Sequence, residues 1–309
     1  MSEHASARVP EVSRLPLSGL ALLAGLSVVW GLNWPVMKVV LAEVPVWWFR
    51  AACVSIGGLG LLTAAALSGG RVLPSPRDIG PLLLCAVFSI VGWHLLTAYG
   101  ISLMPAGRAS IIAYTMPLWA ALFGALILRE AITAPKVVGQ IFGLAGLAFL
   151  MGPDVLALER APIGALFMLT AAISWGLGTV LFKRTAWSTP IAATTGWMSL
   201  AGVLPITIGA LLLEEPPDLA GLKTETWAAM GYVFFLGLVF GQWAFFRIVH
   251  MFPASVAAMS TLAVPVVGVI SSTLMLGETV GTTDLIALAL IAAALFSVLV
   301  VPALQRRAA

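Results

Sequence analysis

Ten apolar stretches follow one another along this chain, and each is close to the roughly 17 to 25 residues that a helix needs to cross a bilayer. They fall near 17–40, 46–67, 79–102, 106–128, 135–152, 162–182, 191–213, 226–249, 254–276 and 282–302. Hydrocarbon offers no partner for backbone N–H and C=O groups, so spans of this length must be helices that satisfy themselves. No soluble domain or long linker interrupts the series. The expectation is an all-α integral membrane protein with ten transmembrane helices. Composition points the same way. Charged residues make up 9% and hydrophobic ones 61%, whereas roughly a quarter of a soluble domain is charged. The basic residues that give the net charge of +3 are scattered singly or in pairs between apolar runs, which excludes a nucleic-acid-binding surface.

Residues 1–16 carry Arg8 and Arg14 ahead of an apolar run, the outline of a signal peptide. The run continues to Val40 and contains a motif that returns later, so it reads as an uncleaved first span. Placing the N-terminus in the cytoplasm puts Arg8, Arg14, Arg71, Arg77, Arg129, Lys136, Lys183, Arg184, Arg247, Arg306 and Arg307 inside, eleven of the sixteen Lys and Arg. The opposite loops hold Glu43, Glu278 and the acidic stretch "EEPPDLAGLKTE". That asymmetry predicts both termini in the cytoplasm. Cys53 and Cys85 lie in apolar runs without metal or redox spacing and read as inert core thiols.

The chain repeats itself. "MPAGRASIIAYTMPLWAALFGALILREAI" (104–132) parallels "FPASVAAMSTLAVPVVGVISSTLMLGETV" (252–280). Pro105 matches Pro253, Pro117 matches Pro265 and Glu130 matches Glu278, each 148 residues apart, and Trp30-Gly31 matches Trp175-Gly176 at 145. The expected organisation is a tail (1–16), a five-helix repeat (17–152), a second five-helix repeat (162–302) and a tail (303–309). Five is odd, so the second repeat enters the membrane from the other side. Inverted repeats of this kind recur in secondary transporters, with the substrate held between halves near the midplane.

The W-G-x-N start, the paired proline pattern and the L-x-E ending resemble the EamA repeats of the drug/metabolite transporter superfamily, and within it the aromatic amino-acid exporters. The resemblance implies a multi-pass protein of the bacterial inner membrane that exports small metabolites, aromatic or other apolar amino acids among them. The chain departs from the pattern once, with Gly178 where the first half has Asn33.

Polar side chains in mid-membrane are expensive and mark sites by default. Asn33, His94 and Gln242 are the deepest uncharged ones. His94 lies sixteen residues past Asp78, roughly 24 Å along a helix. Each can serve a substrate or a helix-to-helix hydrogen bond. Trp30, Asn33, Trp34 and Met37 share one helical face, as do Gln242 and Phe246. Tyr99, Tyr114, Trp93, Trp119, Trp175 and Trp243 also sit within spans, where an aromatic-lined cavity suits a planar apolar solute and simple packing is the alternative. Pro35 frees a backbone carbonyl about one turn earlier, beside Asn33. The candidate substrate-binding set is therefore Trp30, Asn33, His94, Tyr99, Tyr114, Trp119, Trp175, Gln242 and Trp243. Pro117 and Pro265, mid-span at matching places, are candidate gating hinges or static kinks. Lys38, Arg50 and Arg108 fall near the outer surface, where such side chains snorkel to headgroups or attract a substrate carboxylate.

No metal-ligand cluster, catalytic motif or nucleotide-binding loop occurs, so no cofactor is expected, ATP hydrolysis within the chain is excluded, and transport is favoured over a membrane-embedded enzyme. Acidic residues all fall at span ends, in loops or in tails, leaving His94 as the one mid-span proton acceptor. Facilitated transport down the substrate gradient is the expectation, with a proton-coupled multidrug carrier as the alternative. The expected partners are a small-molecule substrate and the lipid bilayer, with the chain acting as a monomer.

Overall fold

The computed structural model describes residues 17–157, 162–241, 244, 245, 248 and 254–301. Every regular element among them is helical: α1 (Leu17–Leu41), α2 (Val46–Leu67), α3 (Ile79–Ala86), α4 (Trp93–Leu103), α5 (Ala106–Ala113), α6 (Met116–Ile127), α7 (Ala134–Ala157), α8 (Pro162–Arg184), α9 (Ile191–Leu213), α10 (Thr224–Gly231), α11 (Ala254–Leu276) and α12 (Thr282–Leu295). Three π-helical segments join or extend them: Val87–Gly92 between α3 and α4, Tyr232–Phe240 after α10, and Phe296–Val300 after α12. Among the described residues, six helices are long and apolar enough to span a bilayer, counting Pro76–Leu103 and Ala106–Ile127 as single spans, and four shorter apolar helices accompany them.

The surface is that of a protein dissolved in lipid. Leu204, Phe235, Ile141 and Leu59 point outward at 68%, 65%, 62% and 57% exposure, a display that water would not tolerate over so wide an area. Polar groups turn inward instead. Buried Ser27, Thr97 and Ser110 donate their hydroxyls to carbonyls one turn back (Leu23, Trp93 and Gly107), the cheapest satisfaction available where water is absent. The main core gathers Trp34, Phe49, Ile101, Ile111, Met168, Val264 and Ile291.

Hydrogen bonds sort the connections into two ends. At one, Glu214 accepts from Trp47 N, Glu278 from Ala106 N, and Glu43 from Lys223 N. At the other, Asp78 accepts from Ser188 N and Thr189 N, and Glu130 pairs with Lys183. These are called the Glu43 end and the Asp78 end below. Between them α2 packs on α9, α7 on α12, α1 on α11, and α8 on both α4 and α6.

Glycine permits close approaches between helices. A Cβ on Gly31 of α1 would fall 3.2 Å from Gly268 N of α11, with Val267 nearer still. One on Gly176 of α8 would fall 2.8 Å from both Ala120 N and Trp119 Cβ of α6. The glycine of each Trp-Gly pair is thus a contact point where two backbones meet. Two of the π segments lie against the helices that carry these glycines, Val87–Gly92 on α8 and Tyr232–Phe240 on α1. A wider helical turn frees carbonyl oxygens from the ladder: Phe88 O accepts from Ser174 Oγ of α8 at 2.8 Å, and Gly237 O from Trp30 Nε1 of α1 at 3.1 Å.

The prolines act unequally. Pro35 and Pro265 sit inside continuous helices. Pro117 does not kink a helix; it lies in the first turn of α6, after a break at Tyr114 and Thr115 that ends α5. A first turn is where the missing N–H is least missed.

Candidate functional site

The aromatic and polar residues expected near the middle fall into two groups, one along α1 and one along α8, and both pack against the main core. In the first, Trp30 and Asn33 of α1 face the π segment Tyr232–Phe240. Trp30 bonds to Gly237 O, and its ring tilts against Phe245 at 5.6 Å. The Asn33 Oδ1 is buried without a partner and points at Gly237, where a Cβ would sit 2.7 Å away. Trp34, next along, meets Tyr114 edge-on at 6.5 Å, and both are nearly fully buried.

The second group lies between α2, α4, α6 and α8. Trp175 packs on Trp93 with centroids 4.9 Å apart. Trp119 donates to Thr115 Oγ1 at 3.2 Å beside Gly176. Tyr99 stacks on Phe167 and accepts the Trp47 indole N–H at 2.8 Å. His94 is half-buried, and its Nδ1 is enclosed without a partner. Gln242 and Trp243, with Phe246, lie outside the described residues.

Lys38, Arg50 and Arg108 correct the snorkelling expectation, because all three turn into the protein. Lys38 Nζ donates to Met104 O at 2.8 Å and to Glu278 Oε1 at 3.2 Å. Arg108 Nε reaches Asp284 Oδ1 at 2.7 Å. Arg50, only 3% exposed, donates to Thr97 Oγ1 at 3.0 Å.

Sequence reasoning missed two arrangements. One is a matched pair of ties: Lys38–Glu278 joins α1 to the end of α11, and Lys183–Glu130 (2.5 Å) joins α8 to the end of α6. The lysines are 145 residues apart and the glutamates 148, the same offsets as the repeat anchors, yet the ties lie at opposite ends. The carboxylates differ in company. Glu278 also accepts from Ala106 N at 2.8 Å and Gly107 N at 3.0 Å, the free donors at the start of α5. Glu130 is held below the usual carboxylate range first by Lys183 and then by Lys136. The second is an exchange of side chains: where Asn33 faces Gly237, the equivalent Gly178 faces Ser89, and a Cβ there would fall 3.0 Å from Ser89 N. The spacing was visible in the chain, but only helix pairing reveals which residues meet.

At the Glu43 end, the Glu43 carboxylate accepts from Lys223 N and, at 2.6 Å, from Thr226 Oγ1, while Lys223 Nζ pairs with it at 2.8 Å. Its pKa is drawn down to about 2, first by the Lys223 hydrogen bond and then by Thr226, and the same pairing raises that of Lys223. Among the described residues no group of His, Cys, Asp and Glu has the arrangement of a metal site.

Comparison with known proteins agrees with this architecture. A crystal structure of a protein 22% identical in sequence superposes with a TM-score of 0.64, covering 94% of this chain and 99% of that one, a likeness of fold. The uncharacterized transporter YvbV of Bacillus subtilis (strain 168) is 32% identical over 278 residues, 86% of this chain and 87% of that protein. A probable amino-acid metabolite efflux pump of Salmonella typhimurium is 27% identical over 293 residues, 90% of this chain and 92% of that protein. The EamA-like transporter family matches twice, over residues 17–152 and 162–300. This multi-pass membrane protein therefore belongs to the EamA-like transporter family and is a transporter, not an enzyme.

Proposed function

We propose that the chain exports small metabolites, aromatic or other apolar amino acids among them, by alternating access between two inverted five-helix repeats. The matched ties carry this reading. Lys38–Glu278 and Lys183–Glu130 are equivalent by position in the sequence and sit at opposite ends of the bundle, which is what an inverted repeat requires. Opening one end asks for release of one tie while the other holds. The pairing of α1 with α11 and of α8 with α6 is supported in the same sense by Gly31 and Gly176.

Within this reading there are ten spans, both termini are cytoplasmic, and the protein works as a monomer in the bacterial inner membrane. Trp30, Asn33, His94, Tyr99, Tyr114, Trp119 and Trp175 line the path, with Gln242 and Trp243. Pro117, at the α5–α6 break, and Pro265, within α11, are the hinges. The amino-acid metabolite efflux pump of Salmonella supports the substrate class. The finer likeness to the aromatic amino-acid exporter YddG belongs to the proposal, because the relatives above support the family rather than that one protein. The carboxylates Glu43, Glu130, Glu278 and Asp284 are each engaged by a cation at a span end, which favours movement down the substrate gradient.

Proteoliposomes loaded with labelled phenylalanine, alanine, a nucleoside and a cationic dye provide the test. The expected result is release of phenylalanine faster than the others, at a rate indifferent to an imposed pH gradient. Release of the dye alone, or accumulation driven by the pH gradient, would replace this reading with a proton-coupled multidrug carrier.

A further inference from the structure

Among the described residues, five buried side-chain atoms lack a hydrogen-bond partner: Asn33 Oδ1, Trp48 Nε1, Arg50 Nε, His94 Nδ1 and Ser272 Oγ. Two of them, Arg50 Nε and His94 Nδ1, belong to one neighbourhood. Arg50 lies about one turn inside α2 from the Glu43 end and is 3% exposed. A guanidinium keeps its charge inside proteins and presents five N–H donors in a planar fork. Here Thr97 Oγ1 takes one donor at 3.0 Å, Cys53 lies alongside, and the Phe49 ring is 5.1 Å from the guanidinium carbon. His94, three residues before Thr97 on α4, is close enough to feel the Arg50 charge. Among the described residues no carboxylate pairs with Arg50, whereas Lys38, Lys136, Lys183, Lys223, Arg77 and Arg108 all have one within 4.0 Å.

An unpaired buried cation is among the costliest things a membrane protein can hold, and it marks a place where an anion is bound. The repeat supplies an internal control. Pro45 and Pro190 stand at equivalent places before α2 and α9, 145 residues apart, which sets Arg50 opposite Thr195. The Thr195 hydroxyl only bonds back to Ile191 O. The same helix is therefore built in the other half without a charge, so the architecture does not require Arg50.

We propose that Arg50 is the group that binds the carboxylate of the transported solute, with Thr97 fixing the guanidinium plane and His94 Nδ1 completing the pocket for the anion. The inference rests on the transport reading above and deepens it: the substrate class is a monocarboxylate, amino acids included. A carboxylate fits because its two oxygens match the guanidinium fork and its single charge cancels the single charge of the site. Thr97 is a positioning residue; its own proton goes to the Trp93 carbonyl at 2.7 Å, leaving an oxygen lone pair for Arg50. The Trp47–Tyr99 hydrogen bond links the same two helices one step nearer the Glu43 end. It must part for a solute to arrive from that side.

The test uses the full chain purified in detergent, with melting temperature recorded against L-phenylalanine, phenylacetate and L-phenylalaninamide. Both carboxylates are expected to raise the wild-type melting temperature and the amide is not. In Arg50→Met the carboxylate response should weaken by at least about 10-fold in apparent affinity, with Arg50→Lys in between. Without ligand, Arg50→Met should melt no lower than wild type, because it removes an uncompensated charge; a merely structural arginine would give a clear drop. The proposal is overturned if neither carboxylate acts on wild type, if the amide acts as well as the acid, or if Arg50→Met responds like wild type. Labelled phenylalanine transport in proteoliposomes separates the two readings. Carboxylate binding that depends on Arg50, without phenylalanine transport, would refute amino-acid export and keep the site. Transport that ignores Arg50 would do the reverse.

Discussion

Replacing Lys38 with Met should loosen the Glu43 end and leave the Asp78 end shut. Lys38 Nζ makes two bonds, to Met104 O at 2.8 Å and Glu278 Oε1 at 3.2 Å, and the partners' side chains are 31% and 13% exposed. Its loss does not orphan Glu278, which keeps the Ala106 and Gly107 amides. What disappears is one charge-assisted bond and one bond to a carbonyl in a partly dry site. That is about 1–2 kcal/mol, or roughly a 5- to 30-fold change in the ratio of closed to open. Lys183 is 68% exposed, and its partner Glu130 is also held by Lys136. Lys183→Met should therefore shift its own end by less, about 0–1 kcal/mol.

The assay is labelling of a single cysteine by an impermeant maleimide, in a background with Cys53 and Cys85 replaced by Ala. Ser110→Cys is a suitable reporter: it is fully buried, one turn past Gly107, and lies against Gly268. The expected outcome is a 5- to 30-fold faster reaction at Ser110→Cys in Lys38→Met, with no gain or a slight loss in Lys183→Met. An equal rise in both variants would mean that the ties hold the fold together rather than opposite ends of a path. No rise in Lys38→Met, alongside a lowered melting temperature, would refute the reasoning as well.

Gly176→Val should lower stability by about 1–3 kcal/mol, since the new Cβ meets Ala120 N and Trp119 Cβ at 2.8 Å and a backbone cannot swing aside; a melting temperature equal to wild type would show that α8 and α6 have slack. Arg129 has φ of 54°, where the equivalent Gly277 has 67°. Arg129→Gly should therefore gain about 0.5–1 kcal/mol, and a fall in melting temperature would contradict it. Glu43 has a pKa lowered to about 2 from an ordinary 4.5, so the stability it contributes is complete above that ordinary value and fades as pH drops towards 2. Glu43→Gln should melt below wild type at neutral pH and converge with it in acid; parallel curves across that range would sink the assignment.

The parts of the fold that lipid dictates were open to reading in the chain. Apolar runs at 46–67 and 191–213 coincide with α2 and α9 because burial in hydrocarbon leaves its mark on composition residue by residue. Where helix pairing decides the outcome, local sequence was silent or misleading. Arg50, one turn from a span end, has the look of a snorkelling residue; it is buried because α4 lies across it, a fact that no window around residue 50 contains. Pro117 is mid-span in the sequence but opens α6, and its equivalent Pro265 interrupts nothing, so residue type alone does not set the break. The π segments Val87–Gly92 and Tyr232–Phe240 carry no composition of their own and show themselves through the carbonyls they offer to Ser174 and Trp30.

Asn33 makes the same point from the other side. Gly178 stands in its place in the second half, and by sequence the amide has simply been lost. In the fold, Asn33 presses on Gly237 and Gly178 accepts Ser89, and Gly237 and Ser89 are themselves 148 residues apart. Each contact joins one small residue to one polar residue, with the polar partner on α1 in one case and on the segment Val87–Gly92 in the other. Space between the helices is the constraint, because a second side chain would collide where a Cβ already has no room. Which helix supplies the polar atom is free to change. The two halves are thus alike in their contacts while differing in the residues that make them. The difference leaves Asn33 of α1 with an unpartnered oxygen, and Arg50 of α2 holds an unpartnered nitrogen. Two halves that repeat their helix contacts can therefore carry unlike polar groups, as a solute whose own ends differ would need.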